Sequence, residues 1–180
     1  MKSAKLIQNF GRNLNFKPQY FYSPNNESEL LEILQRHKDG KIRVVGSLHS
    51  WSNLVKTDEA LIDMRYFNRI EVFTQNGETR VKVGSGCQIK HLLKALNKQG
   101  LTIPSLALIT EQTIAGATAT GTHDSEKQNF SLYIVSLRVT CFKGDESVAQ
   151  VVEVSDGVEL QAARCSLGCL GVIVEITLLC

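Results

Sequence analysis

Residues 44–52 read Val-Val-Gly-Ser-Leu-His-Ser-Trp-Ser, a short apolar run that turns on Gly46-Ser47 and then presents His49 between Leu48 and Ser50. A neutral imidazole is a nucleophile and a proton carrier near neutral pH. A turn of glycine and serine offers closely spaced N–H and O–H donors, an arrangement that binds phosphate oxygens without a lysine. Two further stretches share this chemistry: residues 113–125 (TIAGATATGTHDS) and residues 166–176 (SLGCLGVIVEI), each with small residues beside an apolar run. Singly, each is as well explained by packing. From its loop alone, His49 is most simply a turn histidine bonded to Ser50.

Other sources of chemistry are easier to exclude. No GxxxxGK[ST] segment exists, and Gly84-Ser85-Gly86 lacks a third glycine at the spacing of a Rossmann turn. The five cysteines (87, 141, 165, 169 and 180) form no CxxC pair and have no paired histidines, so neither a disulfide framework nor a metal site is indicated. Cys141, Cys165 and Cys169 stand in apolar surroundings and read as small buried residues. A net charge of +2 on 180 residues, with basic and acidic side chains interspersed, gives no case for a nucleic-acid surface. Apolar runs fall far short of the roughly 20 residues that span a bilayer. The first residues lack the apolar core of an export signal, which points to a cytoplasmic chain with reduced thiols.

Periodicity supplies the elements that must position these loops. Asn26 followed by Glu29 suggests a helix start. Leu30, Ile33 and Leu34 then share one face, and Asp39-Gly40 stops it. Strands are predicted at 42–45 and 60–63, and a hairpin at 71–74 and 80–83 around Asn76-Gly77. A helix over 89–98 shows an Ile89, Leu92, Leu93, Leu96 face with Gly100 after it. The rest is β-rich, with strands at 133–141 and 148–154 about a 143–145 turn, a helix at 158–165, and a strand at 172–179. His37 and His91 fall on helices among charged neighbours and read as solvated or partly packed. The plan is α+β, with mixed strands in two lobes. A final strand ending at the last residue suggests a truncated chain.

The three motifs together bring a family into view. Residues 43–52 resemble the flavin-contacting loop of the vanillyl-alcohol-oxidase (PCMH-type) FAD-binding domain, and within it the aldonolactone oxidase and alditol oxidase branch that includes gulonolactone oxidase. Residues 111–116, running into Ala119-Thr120-Gly121-Thr122-His123, resemble the second signature of that branch, and residues 166–173 the third. Their order and spacing agree over essentially the whole chain.

The resemblance implies a two-lobed FAD domain, lobe one about 1–75 and lobe two about 76–180, with FAD in the groove between. Val44, Val45, Gly46, Ser47, Leu48, His49 and Ser50 would wrap the pyrophosphate, and His49 matches the position where such oxidases bond the 8-methyl carbon of the flavin. Thr118, Gly121, Thr122, His123 and Asp124 would line the cofactor from the other side. Gly171 would add a main-chain donor, Ile173 would hold the adenine end, and Thr113 would lie near the reactive face of the flavin. For His123, a backbone contact to FAD and a structural ring bonded to backbone both stay open. Trp51 either covers the flavin edge or is buried in the core, the latter being the plainer expectation.

The implied activity is oxidation of a CH–OH group of a sugar lactone or polyol by hydride transfer to flavin N5, with dioxygen or another acceptor regenerating the flavin. The family's C-terminal substrate (cap) domain is absent from this chain, so FAD binding with poor turnover is expected, and no catalytic base is assigned. A flavin-binding module completed by a partner chain, or a relative that has lost FAD, are the alternatives. Two departures favour loss: Leu48 where many relatives have glycine, and Asp124 after TGTH where glycine is common. No cysteine stands where a second flavin link would need one.

Overall fold

A computed structural model describes residues 5–105, 108–123, 128–142 and 148–180. Near the N-terminus, β1 (Ile7–Gln8) and β2 (Asn15–Phe16) form a two-residue antiparallel ladder. β3 (Tyr20–Tyr22) follows, and then α1 (Glu27–Arg36). The Asn26 side chain accepts from the Glu29 N–H at 2.9 Å, and the Glu29 carboxylate reaches back to the Asn25 N–H at 2.8 Å, so the start of the helix is capped from both directions. Leu30, Ile33 and Leu34 are its buried face. β4 (Ile42–Val45) and β5 (Ala60–Asp63) complete a parallel sheet of order β3-β5-β4. The central strand is buried at every position, which is why Ala60-Leu61-Ile62 is continuously apolar.

The second sheet begins with a hairpin. β6 (Ile70–Gln75) and β7 (Glu78–Gly84) are joined by Asn76 and Gly77 at φ of 54° and 80°, the left-handed pair whose twist matches a two-residue turn. α2 (Ile89–Asn97), α3 (Ile114–Ala119), β8 (Ile134–Phe142), β9 (Ala149–Val154), α4 (Gly157–Arg164) and β10 (Val172–Leu179) follow. The five strands pair antiparallel in the order β6-β7-β10-β8-β9. Leu92 and Leu96 of α2, Ile114 of α3 and Leu160 of α4 pack on Val81, Val83, Leu137 and Ile176 of this sheet in one core. The chain passes from one sheet to the other between Asp63 and Ile70, so both strands of the hairpin belong to the larger sheet.

The two sheets meet through shared packing. Leu30 and Leu34 of α1 share a cluster with Val172 and Val174 of β10, and Glu27 holds Arg138 of β8 by paired bonds of 2.7 and 2.9 Å. Gly84 and Gly86 make the close approach possible. A methyl on Gly86 would sit 1.9 Å from the Met64 carbonyl oxygen, and one on Gly84 2.4 Å from that of Phe67. The Gly-Ser-Gly sequence is therefore a seam between the sheets.

Some expectations need correction. Cys165 and Cys169 are exposed and Cys141 half-buried; the fully buried thiol is Cys87, 1% exposed. A cysteine in an apolar sequence window is not buried when the window forms the rim of a loop. Trp51 is 65% exposed and not in the core. Three strands before residue 23 and helix α3 had no sequence signal, the strands being two or three residues long and the helix built of small residues. The 143–145 turn and Asp124 lie outside the described residues.

Candidate functional site

A cleft of about 820 Å³ is walled by the loop after β4, the start of α3 and the loop entering β10. Gly46 presses directly against Thr113: a methyl there would lie 2.1 Å from the threonine hydroxyl oxygen. Only glycine admits this approach. Gln88 binds the two walls together, donating from its amide to Ser47 Oγ at 3.1 Å and to the Glu111 carbonyl at 3.0 Å.

The β4 loop uses its acceptors and leaves its donors open. The Leu48 carbonyl accepts from Phe10 N–H at 2.9 Å, the Ser50 carbonyl from the Asn9 amide at 2.9 Å, and the Trp51 carbonyl from the Asn13 amide at 3.1 Å. The N–H groups of Gly46, Ser47, Leu48, His49 and Ser50 donate to none of the described residues. Leu48 holds a left-handed φ of 57°, costly for a bulky residue. Its side chain packs against the cluster of Ile7, Phe16, Val45 and Leu61, an apolar anchor that offsets the strain. That accounts for leucine at a position where the backbone favours glycine.

His49 is half-buried and stacks face to face on Phe10, ring centroids 4.4 Å apart and planes 16° apart. The Ser50 hydroxyl lies 3.2 Å from that of Ser52, and among the described residues no hydrogen bond joins it to the imidazole, contrary to what the loop sequence suggested. Trp51 stands edge-on to Phe10 at 6.4 Å and covers Gly11.

Across the cleft, Thr113 is the N-cap of α3, buried, with no cap bond from its side chain. The first α3 amides turn to the β7–α2 segment, Ile114 donating to Cys87 O at 2.8 Å and Ala115 to Ser85 O at 3.3 Å. Two buried oxygens of the cleft wall, Ser85 Oγ and Gln112 Oε1, have no hydrogen-bond partner among the described residues. Unpaired buried polar atoms are costly, and their presence in one cleft marks a place built for a polar ligand. Gly171 lies at φ 129° with the Thr140 carbonyl 2.3 Å from where a methyl would stand, and Val172 and Ile173 continue the same wall.

Thr118, Gly121, Thr122 and His123 do not line this cleft, although Ala119 and Thr120 beside them do. The Thr118 hydroxyl donates to Ile114 O at 2.9 Å inside the helix. Gly121 N–H donates to Thr118 O and Thr122 N–H to Ala117 O, each at 3.1 Å, which ends α3. Sequence reasoning missed Phe10 and Gln88, whose partners His49, Ser47 and Glu111 are distant in sequence, and the side-chain oxygens of Ser85 and Gln112, which stand out only once their burial is known. Among the described residues no group of three His, Cys, Asp or Glu side chains is placed to hold a metal ion. None of the described helices is long and apolar enough to cross a membrane. The buried Cys87 thiol is pushed up to about 11 by desolvation, which makes it a poor nucleophile.

A cleft with largely apolar walls, a row of open amides and buried unpaired oxygens suits a ligand that joins flat rings through a phosphate bridge. Together with a small parallel sheet set against a five-stranded antiparallel one, it defines a dinucleotide-binding domain of the flavin type. Residues 18–150 match the family model described as "FAD binding domain". The chain belongs to this FAD-binding family of the vanillyl-alcohol-oxidase (PCMH-type) superfamily, and FAD is its cofactor.

It is 46% identical over 173 residues to a long-chain alcohol oxidase of an uncultured marine euryarchaeote, covering 96% of this chain and 36% of that protein. It is 33% identical over 176 residues to L-gulonolactone oxidase of Mus musculus, covering 97% of this chain and 40% of the mouse protein. The fold matches a solved solvent-stable cholesterol oxidase at TM-score 0.89 and 18% identity, over 98% of this chain and 37% of the other. The chain thus spans well under half the length of these relatives.

Proposed function

We propose that the chain is the cofactor-holding part of an oxidoreductase that oxidises a CH–OH group of a sugar lactone or polyol by hydride transfer to flavin N5, with dioxygen or another acceptor taking the electrons. FAD supplies the hydride acceptor, and the chain binds and orients it. In this reading the amides from Gly46 to Ser50, with Val44 and Val45 behind them, hold the pyrophosphate. Gly171 and Ile173 wall the adenine end, and Thr113 lies by the reactive face. Gly121, Thr122 and His123 approach from beyond the end of α3 and Thr118 from its last turn, and Asp124 is assigned with them from its place in the motif alone. An imidazole nitrogen of His49 bonds the 8-methyl carbon. The substrate-selecting domain lies outside these 180 residues, so the chain by itself binds FAD and turns over poorly.

The observation that carries this reading is the row of five open amides beside two buried unpaired oxygens in one cleft. The 46% identity to a long-chain alcohol oxidase favours a second reading of substrate, an aliphatic alcohol oxidised by the same chemistry. A reducing, cytoplasmic setting suits five unpaired thiols. The test is direct. Purified chain given FAD becomes yellow and quenches flavin fluorescence, and acid precipitation retains flavin on the peptide containing His49. His49→Ala abolishes the acid-stable flavin and changes reversible affinity by less than about tenfold, or 1.4 kcal/mol. A chain that takes up no FAD overturns the proposal.

A further inference from the structure

Phe10 belongs to none of the three motifs, yet among the described residues it makes the one ring contact to His49. We propose that Phe10 is the positioning residue of His49, holding the imidazole by its face so that its edge, which carries both nitrogens, is presented to the flavin. This inference rests on the attachment reading above and names what prepares the nucleophile.

The geometry favours a positioning role over a packing one. Phe10 is 61% exposed and adds nothing to the buried core. It is nevertheless fixed by its own backbone, through Phe10 N–H to Leu48 O at 2.9 Å. On one side of it, buried Asn9 bonds the Asn13 side chain at 2.7 Å and the Ser50 carbonyl at 2.9 Å, and accepts from Leu14 N–H at 3.0 Å. On the other, Gly11 lies under Trp51 so closely that a methyl would stand 2.3 Å from the indole ring. The β1–β2 hairpin thus grips residues 48–51 at three carbonyls and two rings.

The form of the contact matters. The nucleophilic lone pair of imidazole lies in the ring plane, so a hydrogen bond to that nitrogen would occupy it, whereas stacking leaves it available. Among the described residues no hydrogen bond fixes the His49 ring, and torsion about the bond to an imidazole ring is broad when unconstrained. The Phe10 face supplies the missing restraint.

Attachment forms one bond, imidazole nitrogen to methyl carbon, and breaks two, the methyl C–H and the imidazole N–H. The two protons and two electrons released pass to the flavin ring system and from it to dioxygen, leaving hydrogen peroxide. Since a displacement of about 1 Å can cost on the order of 100-fold in such a step, the ring's orientation governs the rate.

The experiment uses the 180-residue chain with excess FAD in air, following acid-stable flavin with time. Phe10→Leu keeps apolar bulk and removes the aromatic face, and it slows attachment by on the order of 10- to 100-fold. Phe10→Trp restores a face and recovers most of the rate. Reversible FAD affinity, read in the His49→Ala background, is nearly unchanged by either substitution. A second readout needs no flavin: the imidazole C–H proton resonances of His49 move downfield in Phe10→Leu, as ring-current shielding is lost, and return in Phe10→Trp.

Attachment at the wild-type rate in Phe10→Leu overturns the inference and leaves the attachment reading standing. Parallel loss of affinity and attachment in both variants also overturns it, by showing a structural role. A wild-type chain that binds FAD and never forms acid-stable flavin overturns the attachment reading, and this inference with it.

Discussion

Residues 46–50 and residues 118–123 are both short, contain glycine and hydroxyl side chains, and end on or beside a histidine. In the first, carbonyls and one hydroxyl are taken by Phe10, Asn9 and Gln88 from elsewhere in the chain, and the amides are left open. In the second, hydroxyls and amides turn inward to finish α3, and Asn129 donates to the Gly121 carbonyl at 3.0 Å. The difference follows from backbone direction. A helix consumes amides four residues apart and leaves carbonyls at its end, whereas an irregular loop held by its acceptors leaves amides. Composition alone does not distinguish the two.

Glycine substitution is the sharpest way to break this contrast. Gly46→Ala drives a methyl into Thr113 and is expected to weaken FAD binding at least 100-fold, about 2.7 kcal/mol, in a fluorescence titration. Thr113→Ala in the same chain should recover part of that loss. Gly121→Ala meets a φ of 69° and should cost about 1–2 kcal/mol of stability in thermal melts, with FAD affinity changed less than about tenfold, or 1.4 kcal/mol. Equal loss of affinity in both variants would remove the distinction.

Alkylation sharpens the comparison further. Cys169 walls the cleft and Cys165 does not, though both are exposed. Bound FAD should protect Cys169 from iodoacetamide several-fold and leave Cys165 unprotected, as followed by peptide mass spectrometry. Cys87, its thiol pushed up to about 11 by burial, should stay unmodified in the folded chain.

The smallest effect lies at His37, outside both segments, where Tyr22 Oη is 2.9 Å from Nε2. Burial, and then the charge of Arg36, lower its pKa from 6.5. The folded state therefore prefers the neutral ring. The associated stability is complete above 6.5 and is lost as pH falls through the lowered value, because the unfolded chain takes the proton first. His37→Gln should flatten the fall in melting temperature between about pH 7 and pH 5. An unchanged slope would assign that fall to other groups.

Much of the fold was legible because the relevant signals are local. Val172–Leu179, Ile42–Val45 and Ala60–Asp63 are bounded where their apolar runs begin and end, and Asn76-Gly77 dictates its hairpin. α3 was not legible, since Ile-Ala-Gly-Ala-Thr-Ala carries too few large side chains to show a helical face. Trp51 was misplaced because its sequence neighbours cannot reveal that the β1–β2 hairpin, forty residues earlier, meets it at the surface. Ser85 lies in none of the three motifs and Gln112 is one residue of the second without an assigned role, and their oxygens become informative only once burial leaves them without partners among the described residues.

Local chemistry was enough to establish the Asn76-Gly77 turn, the longer strands and the presence of three donor-rich loops, because turn geometry and side-chain alternation depend on neighbours a few residues apart. Which amides of those loops stay open was settled only by folding. Hydrogen bonding is a competition among all groups within about 3 Å, and Phe10, Asn9, Gln88 and Asn129 enter that competition from distant parts of the chain.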